Sequence, residues 1–284
     1  MCSKGSEKER DYSSMIILTG YNGFIGKAFA EKIDPENLYR VEAEGAFDFL
    51  RDYEDWDKVE LIIHQGAISS TVETDVDKIY KYNIDFSIKL FEKAIEHQIP
   101  VKYASSASVY GKMLTGIMNP LNFYALSKVT VDYWVQDHIE EFKSVQGFRY
   151  FNVYGKGEDH KGNQASPVQK FTEQIKETGK LKLFEGSDKF QRDFICVDDV
   201  VEVVRYNNRP SGIYDLGTSK PISFQEVAEL IATKYNGGIE YVPFPDHLKG
   251  KYQTYTCADM DWLKFGKLPY RFKTVEDYVE NYLG

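Results

Sequence analysis

The chain is poor in cysteine, in long apolar runs and in positive charge, and each shortage excludes a class of protein. Its three cysteines, Cys2, Cys196 and Cys257, are odd in number and far apart. They lack the paired spacing of a zinc site or a disulfide framework, so no metal is expected and the cytoplasm is the compartment that fits. No apolar run approaches the roughly 20 residues of a membrane span. Lysines and arginines number 35 against 44 aspartates and glutamates, a formal net charge of −9. That balance argues against collecting nucleic acid or anionic lipid by bulk attraction, and any anionic ligand must be held by a local site.

What is present suits a globular α/β protein. The 284 residues are 42% hydrophobic, enough for a large core, and the length suggests two closely joined lobes. Residues 1–14 are polar and charged without a secretory signal, and read as a disordered leader or as residues foreign to the natural chain. The apolar run at 15–19 stops at glycine like a buried parallel strand, and a helix should follow from Gly23. Further apolar runs at 61–64, 101–104 and 145–151 alternate with amphipathic stretches at 79–97 and 125–142, the pattern of a Rossmann-type doubly wound parallel sheet. Residues 15–155 form the expected dinucleotide-binding lobe. Beyond Gly155 the rhythm breaks into short strand-like pieces at 182–184, 194–197 and 213–216, which predicts a smaller mixed C-terminal substrate lobe over 156–284, interleaved with the first. Ser223 with Glu226, and Thr274 with Asp277, are capping boxes opening two helices there.

Gly20, Tyr21, Asn22, Gly23, Phe24, Ile25 and Gly26 lie between the first strand and first helix, where a dinucleotide pyrophosphate binds. Glycines there permit the turn and let backbone approach phosphate, while the helix N-terminus supplies donors. Glycine turns are common, and the flanking strand and helix are what give this one weight. Glu42 stands about 20 residues past the first glycine, where an acidic side chain holds the adenosine ribose. Glu44 is the alternative, and a solvated strand end is the plain structural one. The stretch between Glu42 and Leu61 is short for another full βα unit, so this edge of the fold should be trimmed.

Tyr124 and Lys128 lie four apart at the start of an amphipathic helix and so share one face. A phenol loses its proton near pH 10 and needs a neighbouring positive charge to act as a base at neutral pH. Tyr-x-x-x-Lys alone is a frequent surface pair. Here Ser106 ends an upstream strand and Asn152 follows a downstream one, so that both strand ends bracket the same crevice.

With these residues the chain resembles the extended short-chain dehydrogenase/reductase family, in which such a Ser, Tyr and Lys form the catalytic set. Within that family it is similar to the nucleotide-sugar epimerases that act on an ADP-linked heptose in lipopolysaccharide precursor synthesis. The stretches that carry the likeness are HQGAISST at 64–71, PLNFY at 120–124, GFRYFNVYG at 147–155, HKG at 160–162, LFEGS at 183–187, RDF at 192–194, YVPFPD at 241–246 and KGKYQ at 249–253. The resemblance implies one tightly bound NADP or NAD per chain, with Gln65, Gly66, Ala67 and Asn83 joining the cofactor site and Lys128 holding the nicotinamide ribose. It assigns Tyr124 and Lys161 as bases on opposite faces of the sugar carbon, Ser106 near the reacting oxygen, and Ser69, Asn152, Phe184, Glu185, Arg192 and Tyr252 to a nucleotide-diphosphate sugar. It also implies a homo-oligomer. Three departures, Tyr21-Asn22 in the glycine turn, a short 111–120 stretch and Ala125 where glycine is usual, bear on which sugar is used. A 4-epimerase, a reductase or a cofactor-sensing protein on the same fold are the rival readings, and an intact Ser-Tyr-Lys set argues against the last.

Overall fold

The computed structural model describes residues 14–112, 116–246, 253–264 and 270–284. Strand β1 (Met15–Thr19) runs into Gly20, helix α1 (Phe24–Ala30) starts after Gly23, and β2 (Leu38–Val41) follows. The chain then makes the seven-residue α2 (Ala46–Asp52) and returns through β3 (Val59–His64) to the other side of β1. With so few residues between β2 and β3, no further strand is built beyond β2, and β2 is the edge of the sheet. The expectation of a trimmed edge holds.

Helix α3 (Val76–Ile79), a wide π turn at Tyr80–Asp85 and α4 (Phe86–Glu96) lead to β4 (Val101–Ser106), and α5 (Phe123–Asp137) leads to β5 (Val145–Tyr150). Next come β6 (Asn152–Tyr154), α6 (Pro167–Thr178), β7 (Lys180–Phe184), β8 (Gln191–Arg192), β9 (Phe194–Cys196), α7 (Val197–Tyr206) and β10 (Gly212–Leu216). Among the described residues the main sheet has six strands in the order β10-β5-β4-β3-β1-β2, all parallel. The piece at 213–216, expected among the short strands of the second lobe, instead completes this sheet beside β5. The chain reaches it through α7, which packs against α1.

Both faces of the sheet are covered, and alternate side chains go to opposite sides as the pleat requires. Ile17, Ile62, Tyr103 and Val145 enter one core, with Phe86, Leu90 and Phe91 of α4. Leu18, Ile63, Ala104 and Phe148 enter the other, with Phe29 of α1 and Val200 and Val204 of α7.

Helix α8 (Phe224–Lys234) follows β11 (Ile222–Ser223), and β12 (Gly238–Val242), α9 (Asp261–Lys264) and α10 (Val275–Asn281) complete the chain. Both predicted capping boxes form in full, on α8 and α10. Three two-stranded pieces, β6 with β9, β8 with β11 and β7 with β12, surround a third core that includes Tyr154, Leu181 and Ile231. The order in which strands are added reverses at β1, with β2 on one side and β3 on the other, and ligands bind outside the carboxyl ends of strands at such a point.

Candidate active site

The glycine turn closes the end of β1 onto the loop after β3. Gly20 has φ +68°, and a Cβ there would sit 2.6 Å from the Gly66 Cα; a Cβ on Gly26 would sit 2.0 Å from the Gly20 carbonyl oxygen. Only glycine permits that conformation and approach. The Thr19 hydroxyl accepts from Gly66 N at 3.1 Å and lies 2.6 Å from His64 Nδ1, while His64 Nε2 is 2.8 Å from Ser87 Oγ. Since the Ser87 hydroxyl donates to Asn83 O, Nε2 carries the ring proton and Nδ1 accepts from Thr19. Burial pushes His64 down to about 3, and the ring is a neutral strut under the turn.

Above this floor lies a cavity of about 650 Å³. Gly20, Gly23, Phe24 and Ile25 line one end, with Glu42 beside them; Gln65, Gly66, Ala67 and the exposed Ser69 form the adjoining wall. Glu42 Oε1 accepts from Asn22 N at 2.6 Å, which fixes the carboxylate at the lip of the turn. Gln65 accepts from the Tyr150 hydroxyl at 3.0 Å, and its buried Nε2 has no partner among the described residues. A buried amide donor left over in a cavity wall calls for an acceptor on a ligand. With the glycine contacts, it makes the cavity a fit for a dinucleotide.

Ser106, Tyr124, Lys128, Asn152 and Lys161 line the same cavity. Asn122 caps α5 by accepting from Ala125 N at 2.8 Å, so that Tyr124 sits in the first turn and Lys128 one turn later. Lys128 is 6% exposed, donates to Ala104 O at 2.7 Å and has its Nζ 6.0 Å from the Tyr124 ring centre. Burial lowers it to about 8, and Asp132 on the next turn works the other way. That aspartate is itself buried and held by Tyr103, Ser105 and Arg149. Tyr124 is raised above the ordinary phenol value by burial and by Asp132, while a hydrogen bond with Ser106 opposes the rise. Lys161 reaches the cavity from the 3₁₀ turn Asp159–Gln164, with its ammonium over the Phe24 ring at 4.9 Å. Burial lowers its pKa, against the pull of Glu158.

Other expected residues lie elsewhere. Asn83 is buried behind the wall: its side chain accepts from Ile68 N at 2.7 Å and donates to Ile68 O and Ser127 Oγ, both at 3.0 Å. It supports the loop from within the π turn, a feature frequent at functional sites. Tyr21 packs on the core and Asn22 contributes its backbone N–H to Glu42, both outside the cavity wall. Phe184, Glu185 and Arg192 do not line the cavity either. Arg192 is 6% exposed, donates to Gln191 O and Gln253 O, and lies over Phe224. The next strand, β9, nonetheless lies beside the site, for its Phe194 pairs with Asn152. Tyr252 and residues 1–13 of the expected leader at 1–14, Cys2 among them, lie outside the described residues. The other cysteines, Cys196 and Cys257, are free.

Several cavity residues were not anticipated, among them His160, Gln164, Ser166 and Tyr150. Ser166 was within reach of sequence reasoning, since Ser-Pro ahead of an amphipathic stretch marks a helix start, and it caps α6. Among the described residues there is no cluster able to hold a metal, and no helix is long and apolar enough to cross a membrane.

Residues 16–209 match the family model described as the NAD dependent epimerase/dehydratase family. The chain is 37% identical to an ADP-L-glycero-D-manno-heptose-6-epimerase of Brachyspira hyodysenteriae, over 94% of this chain and 96% of that protein. Its fold is similar to the crystal structure of the Helicobacter pylori ADP-L-glycero-D-manno-heptose-6-epimerase, with TM-score 0.78, 25% identity and 97% of each chain covered. It is also similar to a Thermus thermophilus UDP-glucose 4-epimerase in complex with NAD, with TM-score 0.70, 20% identity, and 94% of this chain and 98% of that one covered.

Proposed function

The chain belongs to the NAD-dependent epimerase/dehydratase family, and from that premise we propose that it inverts C6 of an ADP-linked heptose by transient oxidation, with one NAD held tightly per chain. The observation that carries this reading is a single cavity lined by the glycine turn, by Ser106, Tyr124 and Lys128, and by Lys161 from a separate loop. A 4-epimerase or a reductase has no need of that last ammonium.

Gly20, Gly23 and Glu42 would hold the adenosine diphosphate end, and Gln65 and Lys128 the nicotinamide end. When bound there, the nicotinamide would supply a hydride acceptor and, on return, a hydride donor. Tyr124 Oη takes the proton of the C6 hydroxyl in one epimer, with Ser106 Oγ bonded to the same oxygen. The ketone then turns about its bond to the ring, and Lys161 Nζ gives a proton to the carbonyl oxygen on the other side. In the reverse direction the two exchange roles. The carboxylate of Glu42, fixed by Asn22, repels a 2′-phosphate and favours NAD over NADP. Arg192, Phe184, Glu185 and Tyr252 we assign to the sugar nucleotide's outer part, on the strength of the resemblance alone.

The test uses Tyr124→Phe and Lys161→Met with both ADP-heptose epimers. Each variant should keep its cofactor and lose interconversion. Absorbance of the reduced nicotinamide should show each still oxidising one epimer, a different one for each variant. A Lys161→Met protein that interconverts the epimers at the wild-type rate overturns the two-base reading.

A further inference from the structure

Glu158 is 1% exposed, and a carboxylate so far from water must be compensated by donors. Its Oε1 accepts from Gly155 N at 3.1 Å and from the Ser166 hydroxyl at 2.7 Å, and its Oε2 accepts from Ser166 N at 2.6 Å. Gly155 follows β6 and Ser166 caps α6, so one buried carboxylate joins the two ends of the loop that carries Lys161. The loop's middle is tied to the same residue, for Lys161 N donates to Glu158 O at 2.8 Å.

A charged group also lies beside the carboxylate. The Lys161 ammonium lies 3.7 Å from Oε2, on a lysine that lines the cavity while Glu158 does not. Phe24, the first residue of α1, offers its ring face to the same ammonium. Lys161 is therefore held between a loop carboxylate and the first turn of the cofactor helix. Four rotatable bonds would otherwise leave its head free over several ångströms, and side-chain entropy opposes any one position.

We propose that Glu158 is the positioning residue for Lys161, anchoring the loop through Gly155 and Ser166 and holding the ammonium where it can reach the sugar carbonyl from the cavity wall. This rests on the proposed role of Lys161 as the second base. Glu158 touches neither substrate nor cofactor; it acts through Lys161. Tyr124 belongs to another element, α5, whose start is fixed by the Asn122 cap, so a defect at Glu158 falls on one half of the reaction only. A separate loop with its own buried anchor lets one face of the site be set without moving the other.

Glu158→Gln tests this in the full-length, cofactor-loaded protein, alone and combined with Lys161→Met. The amide carries no charge and turns a donor either toward Gly155 N or toward Ser166 N and Lys161 together, so the ammonium loses its hold. Displacement by about 1 Å costs on the order of 10²-fold in rate. The variant should keep its cofactor and be slowed by about that factor with the epimer on which Lys161→Met fails, while oxidising the other at the wild-type rate. In the Lys161→Met background it should slow the surviving half-reaction no further. Equal slowing with both epimers, or further slowing of the double variant, reduces Glu158 to a structural pin and overturns the inference. If Glu158→Gln does not fold, Ser166→Ala carries the test, removing one donor and leaving the charge. The expectation is a smaller defect confined to the same epimer at full cofactor occupancy, and wild-type or equally reduced rates with both epimers overturn it. A Lys161→Met protein with normal interconversion sinks the two-base reading itself, a result distinct from any produced by Glu158.

Discussion

Two neighbours of Tyr124 compete to set its proton affinity. Burial and the Asp132 charge raise it, and the hydrogen bond with Ser106 lowers it. A phenol takes a proton only as phenolate, so the half-reaction that Tyr124 serves should speed up as pH rises through its pKa. Ser106→Ala removes that lowering contact, and the rising limb should move to higher pH; a limb that stays or moves down would mean that Ser106 does not act on the phenol. That Ser106, Tyr124 and Lys128 would meet at one cavity was legible from a strand end and a helix start, whereas Lys161 was reached only through the family resemblance. Glu158 was not. Its role depends on Gly155 and Ser166, three residues before it and eight after it, closing on one carboxylate, and no local pattern announces that. The surroundings of Arg192 were illegible for a related reason: its partners come from Gln191, Gln253 and Phe224, residues that only the packing of the small lobe brings together.

At the scale of elements, apolar periodicity located the strands of the main sheet well because a strand buried on both faces is apolar throughout. It could not say which sheet a short strand would join: β10 carries partly buried residues at three of its five positions and reads like the pieces that follow Gly155. Pairing with β5 decided the matter. Polar struts between elements are equally hidden, and His64 is the clearest of them, linking β1 through Thr19 and α4 through Ser87. Its folded value of about 3 lies below the ordinary 6.5. Between those values the unfolded chain binds a proton that the folded chain refuses, so stability falls as pH drops through 6.5 toward 3 and regains its full value above 6.5. His64→Gln removes the titration. Denaturant unfolding at about pH 7 and about pH 4.5 should show a wild-type loss that exceeds the variant's by up to about 3 kcal/mol. Equal losses would place the acid sensitivity elsewhere.

For the molecule as a whole, the open question is what covers the outer side of α3 and α5, which pack side by side. Val76, Tyr80, Leu126 and Tyr133 are between 46% and 63% exposed, and Leu126 and Tyr133 are two helical turns apart on α5 and so share a face. Apolar side chains gathered on adjoining helices are what a symmetric pair of chains buries, since in a two-fold contact the same patch serves both partners. Each copy carries a net charge of −9, which opposes approach. In about 0.1 M salt that repulsion fades beyond roughly 10 Å, and the apolar contact decides the outcome. Light scattering should therefore find a dimer or a multiple of it, with Leu126→Glu shifting it to the monomer by burying a charge in each copy of the contact. Leu126 does not line the cavity, so the monomeric variant should keep its cofactor and its turnover. A wild-type protein that is monomeric at every concentration measured, or a Leu126→Glu protein that remains a dimer, would mean that this face is not the contact.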